Sequence, residues 1–243
     1  MCFHTSHTQK VKKVENRFKV QLIDDTFRET YDTPHYHNNG FEHLNSLIIP
    51  QQKSTHLIPA TWGIVPPTKK VSEVKEYYKQ QLKYGSGLNA RSEKLFDYWL
   101  YEKSAFTKRC IIPVSGFFEP HEYNKQKYPI HIKQTDNDLF GLAGIYTVVE
   151  NIVTYTILTK NASPLFAKIH NNKLRQPIIL SKHIETDWLQ NSLSENEVKE
   201  LLNIPFDDTE IEAYAVSKDL FNSTINSDIA TILQKDSSIQ INF

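Results

Sequence analysis

The chain is poor in cysteine. Its 243 residues hold two, Cys2 and Cys110. Two thiols make no disulfide framework, and such usage fits a reducing compartment. It also lacks net charge, with 28 basic against 28 acidic residues. That excludes a long-range pull on nucleic acid, so a polyanion would have to be held by a local basic groove. No run approaches the ~18 apolar residues that span a bilayer, and the N-terminal stretch MCFHTSHTQKVKK has no apolar signal segment. A soluble, cytoplasmic protein without membrane contact is expected. Glycine is scarce at seven and arginine at five, so either residue inside a tight motif carries weight. Repeats, low-complexity segments and linkers are absent.

What is present reads as strands with helices around them. Residues 9–20 are basic and predict a short helix with a solvated face. Residues 24–43 are polar and His-rich and read as a loop. Over 44–66, short apolar runs closed by proline predict strands. Residues 71–84 and 93–105 space their apolar residues by three and four and predict helices, the first broken by Gly85-Ser86-Gly87. Residues 109–119, 128–134, 139–149 and 152–159 read as four successive strands, with turns at Asp136-Asn137-Asp138 and Glu150-Asn151. Ser163-Pro164 opens a short helix to Ile169. Residues 176–180 predict a strand, 183–203 a helix with a capping box of Ser194 and Glu197, and 210–217 a further strand. The tail from Ser223 reads as irregular, with an edge strand at 239–243. Short turns between strands favour antiparallel pairing. The expected class is α+β: a single mixed domain over 1–243, with a β-rich core of twisted sheets or a partly open barrel and peripheral helices.

Position 2 carries the most chemical information. Loss of Met1 would leave Cys2 with a free α-amine and a thiol two carbons apart. That pair condenses with an aldehyde: the amine forms an imine, and the sulfur closes a thiazolidine ring. Unperturbed pKa values of ~7.7–8.0 for an α-amine and ~8.5 for a thiol leave both partly nucleophilic near neutrality. A Met-Cys start also arises by chance, so the pattern does not stand alone.

Four internal segments have the texture of site loops. They are Pro59-Ala60-Thr61-Trp62-Gly63-Ile64-Val65-Pro66; Leu88-Asn89-Ala90-Arg91-Ser92-Glu93; Arg109-Cys110-Ile111-Ile112-Pro113-Val114-Ser115-Gly116-Phe117-Phe118-Glu119; and Asn161-Ala162-Ser163-Pro164-Leu165-Phe166-Ala167-Lys168-Ile169-His170, followed by Arg175-Gln176-Pro177. With Cys2, they resemble, in order and approximate spacing, the SOS response-associated peptidase (SRAP) family pattern: MC, W-G-L-I-P, N-A-R-x-E, R-C-L-x-P-x-x-G-F-Y-E-W and I-H-x-R-M-P. A weaker echo at Ala215-Val216-Ser217 and Asn222 extends the likeness to about residue 225.

The resemblance implies a sensor of abasic sites in single-stranded DNA, trapping the ring-opened sugar aldehyde on Cys2 as a covalent thiazolidine. It implies a SRAP-like fold, lyase-like and self-processing peptidase activity, and association with the nucleoid on damage. By the same resemblance, Asn89 hydrogen-bonds the trapped sugar or ring. Glu119, flanked by Phe117 and Phe118, moves protons, and His170 is a second acid/base. Arg91, Arg109 and Arg175 are expected along the phosphate path, and Trp62 against a base beside the lesion. A monomer without cofactor or metal is expected; His35-x-His37 and His4-x-x-His7 lack the companion ligands of a metal site.

The chain departs from the pattern at several places. Phe3-His4 stands where Gly-Arg is common, Pro67-Thr68 where a second tryptophan falls, and Pro120 where the tryptophan after Glu119 falls. Four residues, not one, separate His170 from Arg175. Plainer readings stand beside the functional ones: Glu119 as a strand-end carboxylate, His170 as a helix-end residue, Asn89 as a turn residue, and Trp62 and Cys110 as core. An N-terminal-nucleophile amidohydrolase or peptidase and a non-catalytic single-strand binder are the rival functions.

Overall fold

Period-two alternation of apolar residues builds two sheets, and the two faces it creates divide the interior. In the computed structural model, which describes residues 2–239, the strands are β1 (His4–His7), β2 (Gln21–Leu22), β3 (His35–Asn39), β4 (Asn45–Pro50), β5 (His56–Trp62), β6 (Asn89–Arg91), β7 (Arg109–Val114), β8 (Gly116–Tyr123), β9 (Gln126–Gln134), β10 (Phe140–Val149), β11 (Ile152–Asn161), β12 (Arg175–Pro177), β13 (Ile179–Leu180) and β14 (Ile211–Ala215). The helices are α1 (Val11–Phe18), α2 (Arg28–Asp32), α3 (Val74–Gln81), α4 (Trp99–Thr107), α5 (Pro164–Ile169), α6 (Glu185–Trp188) and α7 (Glu195–Asn203).

β11, β10, β7, β4 and β5 pair in that order, and β5 returns to β11 in parallel through Thr61 with Thr154 and Trp62 with Tyr155. The circuit is a closed barrel, so its strands leave no long edge. The second sheet is antiparallel, in the order β14-β9-β8-β1-β3. Along the barrel strands Ile49, Ile111, Ala143, Ile145 and Leu158 pack with α1, α4, α6 and α7. Their neighbours Ile48, Ile112, Leu142 and Ile157 pack with Phe117, Ile130 and Ile132 of the second sheet and with Cys2. The expected mixed α+β architecture with a β-rich core and outer helices is the one observed.

Several local expectations change. The 24–43 segment holds α2 and β3, because β3 pairs with β1 and takes a sheet edge. The run 109–119 is two strands: at Ser115, whose N–H donates to the Ser6 carbonyl at 2.8 Å, the chain leaves the barrel and enters the second sheet. Residues 183–203 form two helices, and the Ser194–Glu197 capping box opens the second. Residues 93–105 begin helical structure in earnest only at Trp99. The strand expected at 176–180 is split around Ile178, whose N–H donates to Leu158. The edge strand expected at 239–243 lies essentially outside the described residues.

The break before α7 serves Arg109. Its guanidinium is fully buried and donates to the carbonyls of Ala105 at 2.6 Å, Phe106 at 3.1 Å and Trp188 at 2.8 Å, and to that of Gln190. The Trp188 indole N–H donates to the Cys110 carbonyl at 2.9 Å. Desolvation lowers the Arg109 pKa to about 10. Arg109→Met strips these carbonyls of their donors, and a buried unsatisfied polar group costs ~1–3 kcal/mol. A fall in Tm of roughly 5–10 °C is expected by calorimetry, at ~2–4 °C per kcal/mol for this size. An unchanged Tm would mean that Arg109 is not a structural clasp.

Candidate functional site

Cys2, Asn89, Glu119 and His170 converge where β1, β6 and β8 meet the end of α5. Cys2 is fully buried. Its carbonyl accepts a 2.7 Å hydrogen bond from Asn89 Nδ2, and its Sγ lies 3.7 Å from the His4 carbonyl. Burial pushes the Cys2 thiol pKa well up, and the negative charge of Glu119 pushes it further. The sulfur is therefore a thiol, not a resting thiolate, near neutrality.

Asn89 owes its place to two sequence features. Gly87 adopts φ +71°, and a Cβ there would come within 2.6 Å of the Ile64 carbonyl oxygen, so only glycine fits. The following carbonyl, that of Leu88, accepts from the Trp62 indole at 2.9 Å and from the Ile157 N–H at 3.1 Å. Residues 89–91 then run parallel to β11. Asn89 Oδ1 is buried without a hydrogen-bond partner among the described residues.

Glu119 is fully buried on β8, opposite Ile130. His170 closes α5, whose start is capped by Ser163 and fixed by Pro164. Its Nδ1 lies 2.9 Å from Glu119 Oε2 and 3.2 Å from the Arg175 carbonyl. Two oxygen acceptors on one ring nitrogen place the proton on Nδ1. The carboxylate and imidazole form a hydrogen-bonded pair suited to passing a proton.

Beside the pair opens a cleft of about 580 Å3, lined by His170, Phe3, His4, Pro120 and Phe221 and by lysines 127, 173 and 218. Sequence reading missed these lysines. They belong to none of the site motifs, and no local pattern places them together.

Three expected DNA contacts are interior. Trp62 is fully buried, stacked 6.3 Å from Tyr155, and buttresses Leu88 next to Asn89, so it cannot stack on a base. Arg109 is the clasp described above. Arg175 is 6% exposed, binds both Glu93 carboxylate oxygens at 2.5 and 3.0 Å, and donates to Asn161 and to Thr159. Both of its terminal nitrogens are engaged within the protein, and its Nε is buried. Arg91 is exposed and keeps its expected role open. Cys110 is a buried residue of the barrel. Of the histidines in the two short pairs, His4 Nδ1 lies 2.8 Å from His37 Nε2, and His35 Nδ1 lies 2.8 Å from Asp228 Oδ2. Among the described residues no helix is long and apolar enough to cross a membrane.

The family model of the SOS response associated peptidase (SRAP) matches residues 1–223. Abasic site processing protein YoqW of Bacillus subtilis is 33% identical over 226 residues, covering 87% of this chain and 95% of the relative. Abasic site processing protein YobE of the same organism is 34% identical over 182 residues, covering 72% of this chain and 77% of its own. A crystal structure of a protein from Bacteroides thetaiotaomicron superimposes with a TM-score of 0.84 at 30% identity, over 97% of this chain and all of that one. With a match that runs from the N-terminal cysteine through the last strand of the second sheet, this chain belongs to the SRAP family.

Proposed function

We propose that this protein processes abasic sites in single-stranded DNA by forming a covalent thiazolidine through Cys2. The observation that carries the reading is the meeting of two pairs from four distant parts of the sequence, Asn89 on Cys2 and His170 on Glu119, with the Glu119 charge acting on the Cys2 thiol and His170 lining an open cleft. The names of the relatives, abasic site processing proteins, support the substrate.

The chemistry balances without a cofactor. After loss of Met1, the Cys2 amine adds to the sugar aldehyde, and the carbinolamine oxygen leaves as water. The thiol sulfur then adds to the imine carbon, and the thiol proton ends on nitrogen. Because the resting thiol is protonated, the sulfur step needs a base, and the leaving hydroxyl needs an acid. The Glu119–His170 pair supplies both in turn. Asn89 anchors the Cys2 carbonyl, and so fixes where the amine sits. Removal of Met1, by ordinary aminopeptidase trimming or at this same site, is the precondition.

The test mixes the native protein with a single-stranded oligonucleotide carrying one abasic site. The expected product survives heat and denaturant and weighs the sum of both partners less one water. Intact mass of the unreacted protein is expected to lack methionine, and an uncleaved N-terminal extension is expected to block the reaction by removing the amine. No denaturant-resistant product from the methionine-free protein would end this reading. Turnover of a small amide without DNA would favour the amidohydrolase.

A further inference from the structure

The expected arginine path is largely consumed by the fold, so the negative strand needs other partners. The cleft offers three. Lys127 lies on β9, Lys173 in the loop between α5 and β12, and Lys218 in the turn after β14; all are exposed and line one space with His170. Lys218 also lies within electrostatic reach of Asp236. Lys218 is aimed by its place 4.0 Å above the Tyr128 ring and by a 2.6 Å hydrogen bond to Gln126.

Lys173 sits in the part of the chain that departs from the family pattern, the four residues between His170 and Arg175. That loop is built, not loose. Asn171 accepts from the Glu122 N–H and donates to the Glu122 carbonyl, both at 2.9 Å, and Asn172 donates to the Glu122 side chain at 2.5 Å. The clamp pins the loop to the β8–β9 hairpin and occupies Glu122, the carboxylate among the lining residues. In a chain whose charges sum to zero, three ammonium groups line this cleft against one engaged carboxylate, with Asp236 acting on Lys218 from outside the lining, and the local balance is positive. Phe3, Pro120 and Phe221 give the same cleft apolar walls, and Phe221 packs on His4 at 5.4 Å. Cations that track a backbone, set beside faces on which bases stack, are what a single strand requires.

We propose that this cleft, not the line of motif arginines, is the phosphate path of this protein. Lys127, Lys173 and Lys218 neutralise backbone phosphates of single-stranded DNA next to the lesion, and Phe3 and Phe221 flank a base. The 171–174 loop, where this chain departs from the family pattern, is the wall that brings Lys173 to the strand. The inference rests on the reading of the protein as a binder of single-stranded DNA.

The experiment measures binding of the native protein to a lesion-free single-stranded oligonucleotide by fluorescence anisotropy across a salt series. Each phosphate neutralised contributes about −0.7 to the slope of log K against log salt on single strands. Each of Lys127→Ala, Lys173→Ala and Lys218→Ala is expected to flatten the slope by about 0.7, and the triple variant by about 2. Lys75→Ala, exposed on α3 away from the cleft, should leave it unchanged. The lysines are exposed, and thermal melts confirm that the variants fold. A triple variant with the native slope, or no binding of the native protein at low salt, overturns the inference. Adduct formation on abasic DNA at saturating protein is scored separately. A flattened slope without any adduct sinks the thiazolidine but not the path, whereas adducts with an unchanged slope sink the path alone.

Discussion

Glu119→Gln is expected to slow adduct formation on abasic single-stranded DNA by about 10²–10⁴-fold, the usual contribution of a positioned acid/base. Glutamine keeps the size and a hydrogen bond to His170 but can neither take nor give a proton at neutral pH. His170→Asn, which keeps a donor, is expected to slow the reaction less, because the carboxylate remains beside the sulfur. Cys2→Ser separates the two nucleophiles. Its amine still forms an imine, but no sulfur follows, so the product should hydrolyse on denaturation unless borohydride first reduces the C=N bond. The measurement is the single-turnover rate of the denaturant-resistant band, with Tm recorded for each variant because Glu119 is fully buried. A folded Glu119→Gln protein within a few-fold of native rate would remove the carboxylate from the chemistry.

Acid is expected to unfold this protein well before it protonates ordinary carboxylates. Burial lowers the pKa of His4 and His131 to about 3 and of His7 and His37 to about 4. The groups that face them modify this only in part. His4 faces His37; His7 faces His35 and Asp228; His37 faces Asp228; His131 faces Lys133. Above the unfolded value of about 6.5 both states are neutral and the histidines contribute nothing. Below it the unfolded chain binds protons that the native state refuses. Stability then falls by up to ~1.4 kcal/mol per pH unit for each group, until the native imidazoles titrate near 3–4. Several such groups acting together rival a total stability of ~5–15 kcal/mol within one to two pH units.

Calorimetry from pH 8 to 5 should show Tm level at first and then dropping steeply below about pH 6.5. His131→Gln, which removes one of these groups from beneath Phe118 and Tyr214, should make the drop shallower. A Tm that stays flat to pH 5 would show that these histidines are protonated as readily in the fold as out of it.

Much of this protein is legible along the chain because the signals are local. Alternation marked β9, β10 and β11, the Ser194–Glu197 box marked the start of α7, and Ser163-Pro164 marked α5. Elements whose bounds depend on a distant partner were less visible. β3 is a strand because β1 lies beside it, and the break at Ser115 exists because the chain there changes sheets.

The same division holds at the site. The resemblance to the family pattern, more than the residue types alone, singled out Cys2, Asn89, Glu119 and His170 along the chain, and the fold joins Asn89 to Cys2 and His170 to Glu119. Whether a cation faces water is a different kind of fact. An arginine in a motif has the same donors whether it meets a phosphate or a ring of carbonyls. Only packing turned Arg109 inward to Ala105, Trp188 and Gln190, tied Arg175 to Glu93, and made Trp62 a prop for Leu88. Burial is set by every strand that closes over a side chain. For that reason the candidate site residues could be picked out along the chain by their motifs, while the gathering of lysines from three separate elements around one cleft was decided by the tertiary fold.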